Sequence, residues 1–134
     1  LAGGNRLSDP DLDEGCFIAP TVFGNVRPSM TIAREEIFGP VLSIITADGF
    51  EEAVNIANDT PYGLCSSIFT NDLGKSMAFI AATEVGFTHV NMMTAYKEPQ
   101  LPFGGVKESG IGLPEAGMTG IEFFSNRKCV YIKY

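Results

Sequence analysis

Between Val41 and Asn91 the chain alternates strand-length apolar runs with helix-period stripes, and this alternation restricts its fold more than any other feature. Val41 to Ala47 is an apolar run of strand length, the pattern of a strand covered on both faces. Asp48 can then cap a helix, with Glu51 three residues on completing a capping box. Phe50, Ala53, Val54 and Ala57 follow as a buried helical stripe, and residues 58–63 stop that helix. Cys65 to Thr70 reads as a second strand. A second helix runs from about Asp72 to Glu84, with Leu73, Met77, Ile80 and Ala81 on one face and Gly86 ending it. Phe87 to Asn91 is a third strand. The order β-α-β-α-β predicts one parallel sheet with right-handed crossovers, thin enough that its outer strands need partners.

The flanks add less regular pieces. Cys16 to Phe23 is apolar but interrupted by Pro20, so at best an edge strand. Residues 92–112 form a long Gly/Pro loop, and loops of that length in compact domains are usually functional. Pro114, with Glu115 beside it, opens a short helix to about Phe124, and Lys128 to Tyr134 alternates as a closing strand.

The run Arg34-Glu35-Glu36-Ile37-Phe38-Gly39-Pro40-Val41 carries the first chemical signal. Gly39-Pro40 is a fixed bend that halts one element and starts the next. It holds a carboxylate and an aromatic ring in set directions, which suits an oxygen-rich, flat-ringed ligand. A plainer reading makes Glu35-Glu36 the first turn of a helix, as Glu51-Glu52 are. The second signal is Leu101 to Gly112, where four glycines from Gly104 to Gly112 allow close backbone approach or sharp turning. It lacks the Gly-Lys-Ser/Thr ending of a phosphate loop, and Glu115 sits where a dinucleotide fingerprint needs a small residue.

Other chemistries find little support. The 134 residues fit one domain, and a net charge of −7 argues against nucleic acid or an anionic membrane as partner. No apolar stretch is long enough to span a bilayer, and the first residues carry no secretion signal. Cys16, Cys65 and Cys129 form no Cys-x-x-Cys pair, so reduced cytoplasmic thiols are expected. Asn58-Asp59-Thr60 reads as a helix-ending turn. His89, the single histidine, lies in an apolar strand without paired ligands, so no metal site is expected. The absence of an initiator Met suggests an artificial boundary, a processed product or a piece of something longer.

Taken together, Pro20-Thr21-Val22-Phe23, Arg34 to Val41, Asn58 to Leu64, Val90-Asn91, Pro102 to Gly112 and Glu115-Ala116-Gly117 resemble the carboxy-terminal part of the NAD(P)-dependent aldehyde dehydrogenases. Glu-Glu-Ile-Phe-Gly-Pro-Val and Pro-Phe-Gly-Gly-x-Lys-x-Ser-Gly, in that order, are the specific parts of the match. The resemblance implies an α/β fold, a three-layer, mostly parallel sheet with flanking helices. Residues 1–126 would belong to the catalytic domain and 127–134 to an oligomerisation strand. It also implies that Glu36 binds the ribose hydroxyls of the nicotinamide half of NAD or NADP, and that Phe38 packs near the nicotinamide ring. Phe103 would line the aldehyde pocket, Met92 to Leu101 would shape substrate choice, and Glu115 would match a glutamate that assists proton movement. Here the chain departs from the family, with Pro114 in place of the usual Arg and about one extra residue.

The family's Gly-Gln-x-Cys nucleophile and Glu-Leu-Gly-Gly-Lys general base do not occur in this sequence. The expected protein is therefore a segment of an aldehyde dehydrogenase, inactive alone. Its partners would be an aldehyde, the remainder of the enzyme chain and further copies in a homo-oligomer. Two rivals are a non-catalytic assembly module derived from the family and an independent thiol hydrolase using Cys65 or Cys16.

Overall fold

The alternating pattern folds into parallel strand pairs at two separate places. A computed structural model of the chain describes residues 2–5, 7, 11–12 and 15–134. They group into two units, Leu1–Asp59 and Thr60–Tyr134.

The first unit holds β1 (Thr21–Phe23), α1 (Thr31–Arg34), β2 (Val41–Ser43) and α2 (Phe50–Asn58). β1 and β2 are parallel, with Thr21 opposite Val41 and Phe23 opposite Ser43. β1 begins just after Pro20, which has no N–H to give to a ladder. On its other side Val22 bridges Ala2 antiparallel, donating to the Ala2 carbonyl at 2.8 Å. β2 takes β1 as its hydrogen-bonded partner in a two-stranded sheet. β2 is also not covered on both faces: Leu42 is 58% exposed. A two-stranded ribbon offers too little surface to be sandwiched.

α2 starts one residue later than the capping-box reading placed it. Gly49 is the N-cap in extended backbone, and the Glu52 carboxylate accepts the Asp48 N–H at 2.5 Å. A helix beginning at Phe50 puts Glu52, not Glu51, at the third position, from which a carboxylate reaches back across the turn. Val54 is the buried member of the predicted stripe.

The second unit is built on β3 (Cys65–Ile68), α3 (Leu73–Ala82) and β4 (Phe87–Val90), a complete parallel β-α-β with Cys65 opposite Phe87 and Ile68 opposite Val90. Asp72 caps α3 by accepting the Lys75 N–H at 3.0 Å. The apolar face formed by Leu73, Met77 and Ile80 is the exposed one. Ser76 and Phe79 are buried, whereas Leu73, Met77 and Ile80 are 76%, 58% and 45% exposed. The helix is apolar on both sides, and burying the Phe79 ring removes the largest apolar area from water.

α3 ends at Ala82, with Thr83 already extended, so Gly86 does not stop it. Gly86 is there for close approach: a Cβ at that position would lie 1.7 Å from the Gly104 carbonyl oxygen. Downstream, residues 91–106 make no regular element, a single 3₁₀ turn spans Lys107–Ser109, and α4 covers Gly117–Phe123. α4 starts three residues after Pro114 because Glu115 is held extended against Phe103. The chain then enters the helix through Ala116 and Gly117, both left-handed at φ 68 and 56°. Residues 127–134 join no ladder, since a strand exists only where a partner takes its hydrogen bonds.

Candidate functional site

In the first unit the functional candidates sit on one clamped turn. α1 ends at Arg34, and the Glu35 N–H closes that helix on the Thr31 carbonyl at 2.9 Å. Glu35-Glu36 therefore follow a helix and do not begin one, against the plainer reading of the pair. The bend is fixed at both ends. On the strand side, Val41 donates to the Gly39 carbonyl at 2.8 Å, and the Pro40 carbonyl accepts the Thr21 N–H at 2.9 Å. On the helix side, Arg34 donates from Nε to the Pro28 carbonyl at 3.0 Å and grips the Asp59 carboxylate with Nη2 at 2.6 Å and Nη1 at 3.4 Å.

Between these anchors Phe38 adopts φ 53°, a left-handed conformation that costs a bulky residue about 1–3 kcal/mol. Its ring is 92% exposed. The Glu36 side chain is exposed and receives no hydrogen bond from any described residue. A cleft of about 340 Å³ opens here, lined by Glu35, Glu36, Phe38, Gly39, Ile32 and Ser43 among others. A strained aromatic ring and an unengaged carboxylate at the rim of one cleft form an arrangement that can cover a flat ring and accept hydrogen bonds from hydroxyls.

In the second unit the glycine loop is knitted to the Thr60–Leu64 turn. The Gly63 carbonyl accepts two N–H groups, from Gly86 at 3.0 Å and Val106 at 2.9 Å, and the Gly63 N–H donates to Ser109 Oγ at 3.0 Å. Glu108 N–H reaches the Pro61 carbonyl at 3.0 Å, and Lys107 Nζ reaches the Thr60 carbonyl at 3.3 Å and the Glu84 carboxylate at 2.8 Å. Close approach is thus the purpose of Gly104, Gly105 and Gly110, whereas Gly112 turns the chain at φ 78° with open space around it. Added Cβ atoms would meet the Ser109 carbonyl oxygen 2.4 Å from Gly105 and the Gly105 carbonyl oxygen 1.9 Å from Gly110. Sequence reasoning gave Lys107, Ser109 and Gly63 no role. The available signal was that the Asn58–Leu64 and Pro102–Gly112 motifs occur together, as two sides of one hydrogen-bonded joint would.

Phe103 and Glu115 are brought together by this joint. They pair as an isolated antiparallel bridge, with Phe103 N–H to the Glu115 carbonyl at 2.5 Å and the reverse bond at 2.8 Å. The Phe103 ring lies between two hollows. One of about 190 Å³ is bounded by Gly104, Gly105, Pro114 and Glu115. The other, about 230 Å³, is lined by Phe87, His89, Tyr96, Lys97 and Leu101. Phe87 meets the Phe103 ring at 5.4 Å between centroids, and Lys97 Nζ stands 4.1 Å from the Phe103 centroid.

His89 bonds the Tyr96 carbonyl through Nε2 at 2.9 Å, while its buried Nδ1 has no partner among the described residues. The Tyr96 hydroxyl donates to Glu98, and this bond, then that from Gln100, holds the Glu98 carboxyl below the usual carboxylate range. The predicted substrate loop is therefore a wall of this hollow.

Cys65 does not have the character of a nucleophile. Burial pushes the Cys65 thiol above its ordinary range, against the lowering effect of a hydrogen bond with the Thr94 side chain. That is the opposite of the thiolate stabilisation that an attacking cysteine needs. No cluster of metal-ligating residues exists, and no helix is long and apolar enough to cross a membrane, among the described residues.

Comparison with known proteins places the chain among relatives. Residues 1–130 match the aldehyde dehydrogenase family. The chain is 43% identical over 133 residues to the alpha-ketoglutaric semialdehyde dehydrogenase of Bacillus subtilis, covering 99% of this chain and 27% of that protein. It is 42% identical to the betaine aldehyde dehydrogenase of Mesorhizobium japonicum, covering 98% of this chain and 26% of that protein. The crystal structure of Mycobacterium tuberculosis aldehyde dehydrogenase complexed with NAD+ superposes with a TM-score of 0.85 at 45% identity, covering 96% of this chain and 26% of that one. The chain thus spans about a quarter of the length of the relatives it matches.

Proposed function

This chain belongs to the aldehyde dehydrogenase family, and from that premise we propose that it forms one part of an enzyme oxidising an aldehyde to a carboxylic acid with NAD or NADP. The dinucleotide, when bound, accepts the hydride that the aldehyde carbon gives up, while water supplies the second oxygen of the acid. The residues of the Glu35–Gly39 turn suit the nicotinamide riboside. Glu36 offers both carboxylate oxygens to ribose hydroxyls, and Phe38 offers an uncovered ring face beside them. The observation that carries this reading is the pairing of a left-handed, 92% exposed Phe38 with an unengaged Glu36 in one cleft. An aromatic ring kept in a costly conformation and in water points to a ligand that repays both.

In the second unit, Phe103 would form a wall of the aldehyde pocket, and Met92 to Leu101 would set its polarity. Glu115, exposed beside that ring, would hold or pass a proton during release of the acid. The thiol that attacks the carbonyl and the base that activates water have no recognisable counterpart in this sequence, so the chain alone is inactive in this account. The activity test compares NADH production by the chain alone and by the longer polypeptide that contains it. Turnover confined to the longer polypeptide supports the proposal, and turnover by the 134 residues alone contradicts it.

A second reading, a non-catalytic assembly module, is favoured by the apolar surface of residues 127–134. Val130, Tyr131 and Ile132 are 66%, 95% and 70% exposed on a segment with no ladder partner. In the enzyme reading that same segment is the strand through which subunits of a cytoplasmic homo-oligomer join. A chain that assembles without any upstream nucleophile segment in its gene would favour the module.

A further inference from the structure

We propose that the hollow beside Phe103 selects aldehydes that carry a second, anionic group, and that Lys97 is the residue that selects them. The inference rests on the reading of Phe103 as a wall of the aldehyde pocket, and adds the class of substrate. The hollow has a volume of about 230 Å³, and Phe87, His89, Tyr96, Leu101 and Phe103 give it a mostly aromatic and aliphatic lining. One cation stands in it. The Lys97 ammonium lies 4.1 Å from the Phe103 ring centroid, and no described carboxylate forms an ion pair with it. An ammonium has three N–H donors and no acceptor, so its donors are left for solvent or for a ligand.

Glu98, the next residue, borders the same hollow but is otherwise engaged. One of its carboxylate oxygens takes the Tyr96 hydroxyl, and the other takes the Gln100 amide at 3.0 Å. The acid of the wall is thus satisfied by its neighbours, and the base is not. A cationic tail would need an open aromatic face, and the face of Phe103 already carries the Lys97 charge. A neutral tail would gain apolar contact alone. A carboxylate tail gains a charge-assisted hydrogen bond beside an apolar surface, where such bonds are stronger than between neutral groups.

The test uses the complete enzyme with three aldehydes of matched chain length: succinic semialdehyde, butanal and 4-trimethylammoniobutanal. Succinic semialdehyde should have the highest kcat/KM. Lys97→Met should lower the ratio of kcat/KM for succinic semialdehyde to that for butanal by about tenfold, as loss of one charge-assisted bond requires, and Lys97→Arg should keep most of it. A ratio that Lys97→Met leaves unchanged, or a preference for the trimethylammonium aldehyde, overturns the inference while leaving the aldehyde pocket intact. Failure of all three to reduce NAD would overturn the pocket reading itself, and the inference with it.

Discussion

Phe103 and Glu115 exchange both of their backbone hydrogen bonds, and the whole glycine loop lies between those two residues in the chain. Glu115 is thus placed by its backbone, with its side chain free to act. In the complete enzyme Glu115→Gln should leave the urea midpoint within the equivalent of about 0.5 kcal/mol, as for other exposed substitutions. If the carboxylate moves a proton, kcat should fall at least about tenfold. A normal kcat would remove Glu115 from the mechanism.

Glycines of the second unit should behave in two opposite ways. Gly86→Ala and Gly110→Ala drive a methyl group into backbone oxygens 1.7 and 1.9 Å away. Each should cost about 3 kcal/mol or more in urea unfolding. Gly120→Ala, inside α4 with open space around it, should stabilise by about 0.5–1 kcal/mol. Equal effects at all three positions would contradict the close-packed joint.

Ser109→Ala leaves the Gly63 N–H without its acceptor. The expected loss is about 1–3 kcal/mol, the cost of an unsatisfied donor away from water. Ser109→Thr, which keeps the hydroxyl, should recover part of that loss in the same measurement.

The Cys65 thiol, raised by burial, should alkylate more slowly than an exposed cysteine when iodoacetamide labelling is followed residue by residue at pH 8. A thiol whose folded pKa lies above its unfolded value leaves stability intact below the ordinary thiol range, and stability is lost as pH rises through the raised pKa. Cys65→Ser should flatten that alkaline slope. Faster labelling at Cys65 than at a free thiol would revive the hydrolase reading.

Local grammar explains which parts of the fold could be read in advance. The β3-α3-β4 unit was legible because Asp72 caps its helix and the strands lie a helix apart in sequence. The partnership of β1 with β2 was not, because Pro20 made Cys16–Phe23 look peripheral, and pairing depends on which edge is available. Which face of α3 is buried is not legible in the sequence, because Leu73, Met77 and Ile80 form as good an apolar stripe as Phe79 does with its neighbours. Periodicity cannot choose between two such faces. The start of α4 was missed because the Phe103–Glu115 bridge overrides the preference of Pro114 for a helix first turn. In the candidate site, the Glu35–Pro40 bend was readable from Gly-Pro chemistry, whereas the joint of Gly63 with Ser109 joins residues 46 apart in the chain.

The central claim is that the Glu36–Phe38 turn receives the nicotinamide riboside, and the most direct test is the affinity of the complete enzyme for NAD before and after Glu36→Gln. Titration calorimetry should find the mutant weakened by about 10-fold or more, the equivalent of roughly 1.5–3 kcal/mol for hydrogen bonds to a charged group. An unchanged Kd together with an unchanged kcat would contradict the account.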